Sequence, residues 1–78
     1  MTKAEGILQA LGGPDNLKSL EPCITRLRVV VNDPEKVNES GLRESGAFGV
    51  VLQGPVVQVV VGPDADDLGE AISELTNE

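Results

Sequence analysis

One stretch of this 78-residue chain, Pro22-Cys23-Ile24-Thr25-Arg26-Leu27-Arg28, concentrates the side chains able to do chemistry. Cysteine attacks as the thiolate, a form that neighbouring guanidinium groups favour. Arg26 and Arg28 stand at i and i+2 of an expected strand and so project from one face. Leu27, Val29 and Val31 then point the other way, into the core. A guanidinium fork matches phosphate geometry, and two of them beside a turn make an oxyanion site. Parity adds a constraint. In a continuous strand Cys23 faces away from both arginines, so residues 23–25 must curl for sulfur and guanidinium to converge. A curled segment presents the N–H groups of Ile24, Thr25 and Arg26 to an anion. The Thr25 hydroxyl adds a donor, and Pro22 restricts the entry to the turn. The expectation is a phosphate cradle around a sulfur atom. Transfer of an already activated phosphoryl group needs no acid–base residue there, because positioning and charge stabilisation carry most of the catalysis.

Other chemistries are removed by what the chain lacks. With no histidine there is no Cys–His or Ser–His pair, and one cysteine allows neither a zinc finger nor an intrachain disulfide. A C-x5-R phosphatase loop fails on spacing, since position 29 is Val29. Asp64, Asp66 and Asp67 lack EF-hand spacing and suit a helix entry instead. No metal and no cofactor is expected. Net charge −7, with six scattered basic residues, argues against nucleic acid and against insertion into an anionic membrane. No signal peptide or membrane-spanning run is visible, and a single thiol without a secretion signal suits a reducing cytoplasm. A lone cysteine is commonly a small buried hydrophobe; the turn and the two arginines weigh against that here. Two further readings stay open, a non-catalytic regulatory module with Cys23 incidental and a redox sensor. The arginine pair disfavours the first, and the lack of a resolving cysteine the second.

The elements that must position this segment are legible around it. Ala4, Ile7, Leu8 and Leu11 fall on one helical face, Thr2 and Glu5 form a capping box, and Gly12-Gly13 supplies the stop. Leu68, Ala71, Ile72 and Leu75 repeat the pattern after Gly62-Pro63. Strands are expected at 16–22, 25–31, 47–53 and 56–61. The first is weak, with Leu17 and Leu20 its only large apolar residues, and the last two flank Gly54-Pro55 as a hairpin. A short helix is expected over 37–45, ended by Gly46, although Gly41 inside it costs about 1 kcal/mol relative to Ala. With one phenylalanine as the only aromatic ring, eleven valines and nine leucines must build the core. The prediction is a single α+β domain over 1–78, a four-stranded antiparallel sheet with three helices packed on one face, in the order α-β-β-α-β-β-α. Gln58, interrupting a valine run, is either the outward residue of its strand or a polar group near the site.

These residues resemble the IIB domain of the glucose/N-acetylglucosamine (type-1) branch of the bacterial phosphoenolpyruvate-dependent sugar phosphotransferase system. The likeness spans nearly the whole chain: Ile7-Leu8, Leu11-Gly12-Gly13, Asn16-Leu17, Asp33, Val37, Leu42, Gly46-Ala47, Gly49-Val50-Val51, Gly54, Val57-Gln58-Val59 and Gly62. Its specific signature is Cys23-Ile24-Thr25-Arg26-Leu27-Arg28. Pro55 and Phe48 depart mildly from the pattern, away from the expected site. The resemblance implies that Cys23 accepts a phosphoryl group from a phosphohistidine of a partner IIA protein. Cys23 then hands it to a sugar, glucose or N-acetylglucosamine, held by the membrane IIC transporter. It places Arg26 and Arg28 beside the phosphocysteine, and the protein in the cytoplasm, docking at the inner face of the membrane through IIC. Pro22 and Ile24, the apolar residues nearest the thiol, are the expected partner contacts. Met1 suggests a stand-alone subunit, although a domain excised from a fused transporter would look much the same.

Overall fold

The computed structural model describes residues 2–76; Met1, on which the expectation of a stand-alone subunit leaned, lies outside them together with residues 77 and 78. Helix α1 (Lys3–Ala10) opens with the expected capping box: the Thr2 side chain accepts from the Glu5 amide, and Glu5 accepts from the Thr2 amide. The chain continues through β1 (Leu17–Cys23), β2 (Arg26–Val31), α2 (Glu39–Glu44), β3 (Gly49–Gln53), β4 (Val56–Val60) and α3 (Ala65–Thr76). The four strands form one antiparallel sheet in the order β1-β2-β4-β3. This is the α-β-β-α-β-β-α arrangement predicted from the sequence.

Alternation decides which face the helices cover. Leu27, Val29 and Val31 of β2 and Val57 and Val59 of β4 point inward, where Ile7, Leu11, Leu42 and Ile72 of the helical layer meet them. Arg26, Arg28 and Gln58 occupy the intervening positions on the uncovered face. The apolar core is therefore a single layer between sheet and helices, and the other side of the sheet is left for contacts.

β1 is irregular for a physical reason. Leu17 pairs with Val31, yet Ser19 already pairs with Val30, so Lys18 is an extra residue in a β-bulge. The bulge shifts parity by one, which turns both Leu17 and Leu20 toward the core although they are three residues apart. Asn16, just before it, is 3% exposed and ties three segments together. Its Nδ2 donates to the Leu11 carbonyl at 2.7 Å and to the Asp33 carbonyl at 3.0 Å, and its Oδ1 accepts from the Asp33 amide at 2.8 Å.

α2 is shorter than expected, six residues, preceded by a 3-10 turn at Pro34–Lys36. Asn38 caps it by accepting from the Gly41 amide, and the Asn38 amide donates to the Ala10 carbonyl at 2.6 Å. Gly41 has a packing role there. A Cβ at that position would lie 3.2 Å from Ala10 Cβ, so glycine lets α2 sit close against the end of α1.

Candidate functional site

The curl required at residues 23–25 exists, in a more economical form than expected. Cys23 itself stays in β1, and Ile24-Thr25 alone make a two-residue turn into β2. Two residues are enough to reverse parity. Cys23 and Arg26 become direct cross-strand partners, and partners in an antiparallel pair share a face. The next pair on that face is Glu21 with Arg28, and Arg28 is in turn opposite Gln58 of β4. The thiol, both guanidinium groups and the Gln58 amide thus lie on adjacent rungs of the open face.

The turn has an unusual backbone. Ile24 has φ +58°, the one non-glycine residue in the left-handed region among the described residues. A positive φ at the first central position and not at the second is the pattern of a type II′ turn, where glycine is the usual occupant. The turn is anchored from the far side, since the Thr25 carbonyl accepts from the Val61 amide at 2.9 Å and the Gly62 amide at 2.8 Å. Of the amides expected to meet an anion, those of Ile24 and Thr25 lie in the turn itself. That of Arg26 belongs to the closing pair of the hairpin.

Cys23, Ile24, Thr25, Arg26, Arg28 and Gln58 line a shallow depression of about 380 Å³. Cys23 is exposed there as a free thiol. Arg26 Nη1 donates to Gln58 Oε1 at 2.8 Å, which fixes one guanidinium beside the thiol. The ion pairs of the described residues, Lys3 with Asp64 and Arg43 with Glu39, leave both site arginines out. Within the four strands Glu21 is the sole carboxylate, so the open face is locally positive although the chain is acidic. No group of three or more potential metal ligands occurs among the described residues, and no helix of theirs is long and apolar enough to cross a membrane.

The two apolar residues expected at a partner surface are placed differently. Ile24 is 83% exposed at the tip of the turn. Pro22 pairs with Leu27 on the helix-facing side, where a Cβ added to Gly69 of α3 would approach its ring to 3.0 Å. The ring therefore seats the end of β1 on α3. β1 is an edge strand, so the N–H that proline lacks is not needed by the ladder. Gln58 satisfies both sequence expectations at once, being outward and at the site. Glu21 was not singled out from the sequence; its position two residues before Cys23 on a strand was the available signal.

Comparison with known proteins bears on the family of the chain. The family described as "phosphotransferase system, EIIB" matches residues 5–38, a span that includes the turn and both arginines. The "PTS system N-acetylglucosamine-specific EIIB component" of Streptomyces coelicolor is 51% identical over 74 residues, covering 95% of this chain and 96% of that protein. A crystal structure of one domain of the PTS system IIabc component from Clostridium difficile superimposes with a TM-score of 0.78 at 28% identity, covering 94% of this chain and 77% of that one. An identity of one residue in two over nearly the full length of both chains is decisive: the chain belongs to the phosphotransferase system EIIB family.

Proposed function

We propose that Cys23 accepts a phosphoryl group from the phosphohistidine of a IIA protein or domain and passes it to a sugar bound by the membrane IIC transporter. The chain acts in this reading as a protein-phosphohistidine–sugar phosphotransferase with a phosphocysteine intermediate. The observation that supports it most is the pairing of Cys23 with Arg26 across a two-residue turn, with Arg28 one rung further on the same face.

In the first step the Cys23 thiolate attacks phosphorus. A P–S bond forms, the P–N bond of the phosphohistidine breaks, and the imidazole leaves with the electron pair. Arg26 and Arg28 offset the charge on the phosphoryl oxygens, with further donors from the amides of Ile24 and Thr25 and the Thr25 hydroxyl, residues that line the same depression. In the second step a sugar hydroxyl attacks the same phosphorus, the P–S bond breaks and the thiolate leaves. The hydroxyl proton goes to a base outside this chain. Sulfur suits both steps, as a good nucleophile toward the incoming group and a good leaving group afterwards. One exposed thiol must meet two partners in turn, and the turn between two edge-proximal strands presents it to both. The N-acetylglucosamine specificity named for the Streptomyces coelicolor relative favours that sugar over glucose.

The test is reconstitution with phosphoenolpyruvate, the general phosphotransfer proteins, a cognate IIA and membranes containing IIC. Sugar phosphate should accumulate with the wild-type chain and not with Cys23→Ser. Equal rates for the two refute the reading.

A further inference from the structure

The most exposed large apolar side chains of the described residues are Ile24 and Phe48, and both stand at the end of the sheet that carries the β1–β2 turn. Phe48 is the only aromatic side chain in the sequence and is 75% exposed. It is also firmly mounted. Its amide donates to the Val60 carbonyl at 2.7 Å, and its ring lies over Gly62, where a Cβ would come within 2.9 Å of Cε2. Gly62 is the residue whose amide holds the Thr25 carbonyl. Phe48 thus covers the buried Gly62 that anchors the β1–β2 turn, and it stands exposed at the same end of the sheet as Ile24 and the thiol.

We propose that Phe48 is an apolar anchor for the phosphoryl donor protein. This rests on the functional reading above and names which of the two partners the surface serves. Charge decides between them. The donor arrives carrying its phosphoryl group while Arg26 and Arg28 form no ion pair among the described residues, so attraction across the interface is available. At the acceptor step the phosphoryl group already sits on Cys23 and offsets the arginines. A rigid aromatic side chain next to that electrostatic contact supplies the desolvated area an anchor needs, at little cost in conformational entropy.

The experiment measures initial rates of Cys23 phosphorylation by intact mass against phospho-IIA concentration, for wild type, Phe48→Ser and Phe48→Leu. Burial of most of an aromatic ring predicts a rise of about tenfold in KM for the donor with Phe48→Ser and little change in kcat, with Phe48→Leu recovering most of the loss. Transfer from the phosphorylated chain to IIC-bound sugar, followed in a single turnover, should stay within twofold of wild type. Thermal unfolding checks the fold, and Phe48→Gln replaces the serine variant should that one fold poorly. An unchanged donor KM overturns the inference. A defect confined to the sugar step overturns it too and assigns the ring to the acceptor. Failure of the wild-type chain to become phosphorylated removes the functional reading itself, and this inference with it.

Discussion

Ile24 holds a backbone conformation that its own side chain opposes, and replacing it should stabilise the protein while impairing it. At φ +58° a β-branched residue meets steric strain of roughly 1–2 kcal/mol. Asparagine tolerates the left-handed region and avoids the unfolded-state entropy that glycine adds. The lost burial is small, because 83% of the isoleucine is already exposed. If full burial is worth about 1.5–3 kcal/mol, the remaining sixth is worth about 0.4 kcal/mol. Ile24→Asn should therefore stabilise the fold by about 0.5–1.5 kcal/mol. In a domain of this size that raises the melting temperature by about 3–10 °C, read by calorimetry or circular dichroism. The same variant should be phosphorylated more slowly by IIA at limiting donor, if the exposed Ile24 side chain makes the partner contact expected of it. A melting temperature at or below that of wild type refutes the strain argument. An unchanged phosphorylation rate removes Ile24 from the interface.

Further predictions follow from other groups. Arg26→Lys and Arg28→Lys keep the charge but lose the planar fork, and each should slow phosphoryl transfer to sugar by about tenfold or more in the reconstituted assay; wild-type rates in both would exclude a geometric role. Asn16→Leu leaves two carbonyls and an amide without their buried partner. At about 1 kcal/mol or more apiece it should lower unfolding free energy by roughly 3 kcal/mol in urea titrations, with a loss under 1 kcal/mol contradicting this. The hydrogen bond from the Thr2 amide, and then the one with the Thr2 hydroxyl, hold the Glu5 carboxyl below its usual value of 4.5. A group depressed on folding contributes stability above its unfolded pKa and loses it as pH falls through the folded one. The stability difference between wild type and Glu5→Gln should thus be full at neutral pH and shrink below about pH 4.5. A pH-independent difference would show that the capping carboxylate contributes nothing.

The sequence carried the fold wherever alternation was regular. β2 reads R-L-R-V-V-V and β4 V-V-Q-V-V, and their inward residues Leu27, Val29, Val31, Val57 and Val59 are the buried ones. β1 was faint because Leu17 and Leu20 are three apart, a spacing that does not fit the two-residue period of a regular strand. Only the bulge at Lys18, a property of the pairing with β2, makes both face inward. Gly41 looked like a weakness of α2 and is a close approach to Ala10, which no local pattern encodes.

The candidate site was legible as a cluster of residues and less so in its mounting. The requirement for a curl followed from the odd spacing of Cys23 and Arg26, and the two-residue turn meets it. That Cys23 and Arg26 are direct partners depends on a positive φ at Ile24, a conformation that isoleucine does not advertise. Pro22 lies on the opposite face from the sulfur because it immediately precedes Cys23 in the same strand; the helix it meets was out of reach, since the Pro22–Gly69 contact joins residues far apart in the chain. The Arg26–Gln58 hydrogen bond and the seat of Phe48 on Gly62 are likewise products of strand order.

The most direct measurement is where the phosphoryl group goes. The purified chain should be incubated with phosphoenolpyruvate, the general phosphotransfer proteins and IIA. It should then be quenched, digested and analysed by fragmentation mass spectrometry under conditions that preserve a P–S bond. A single phosphoryl adduct on the peptide containing Cys23, formed with the wild-type chain and absent from Cys23→Ser, is the predicted result. A phosphoryl group on any other residue, or an unmodified chain in the presence of demonstrably phosphorylated IIA, would contradict it.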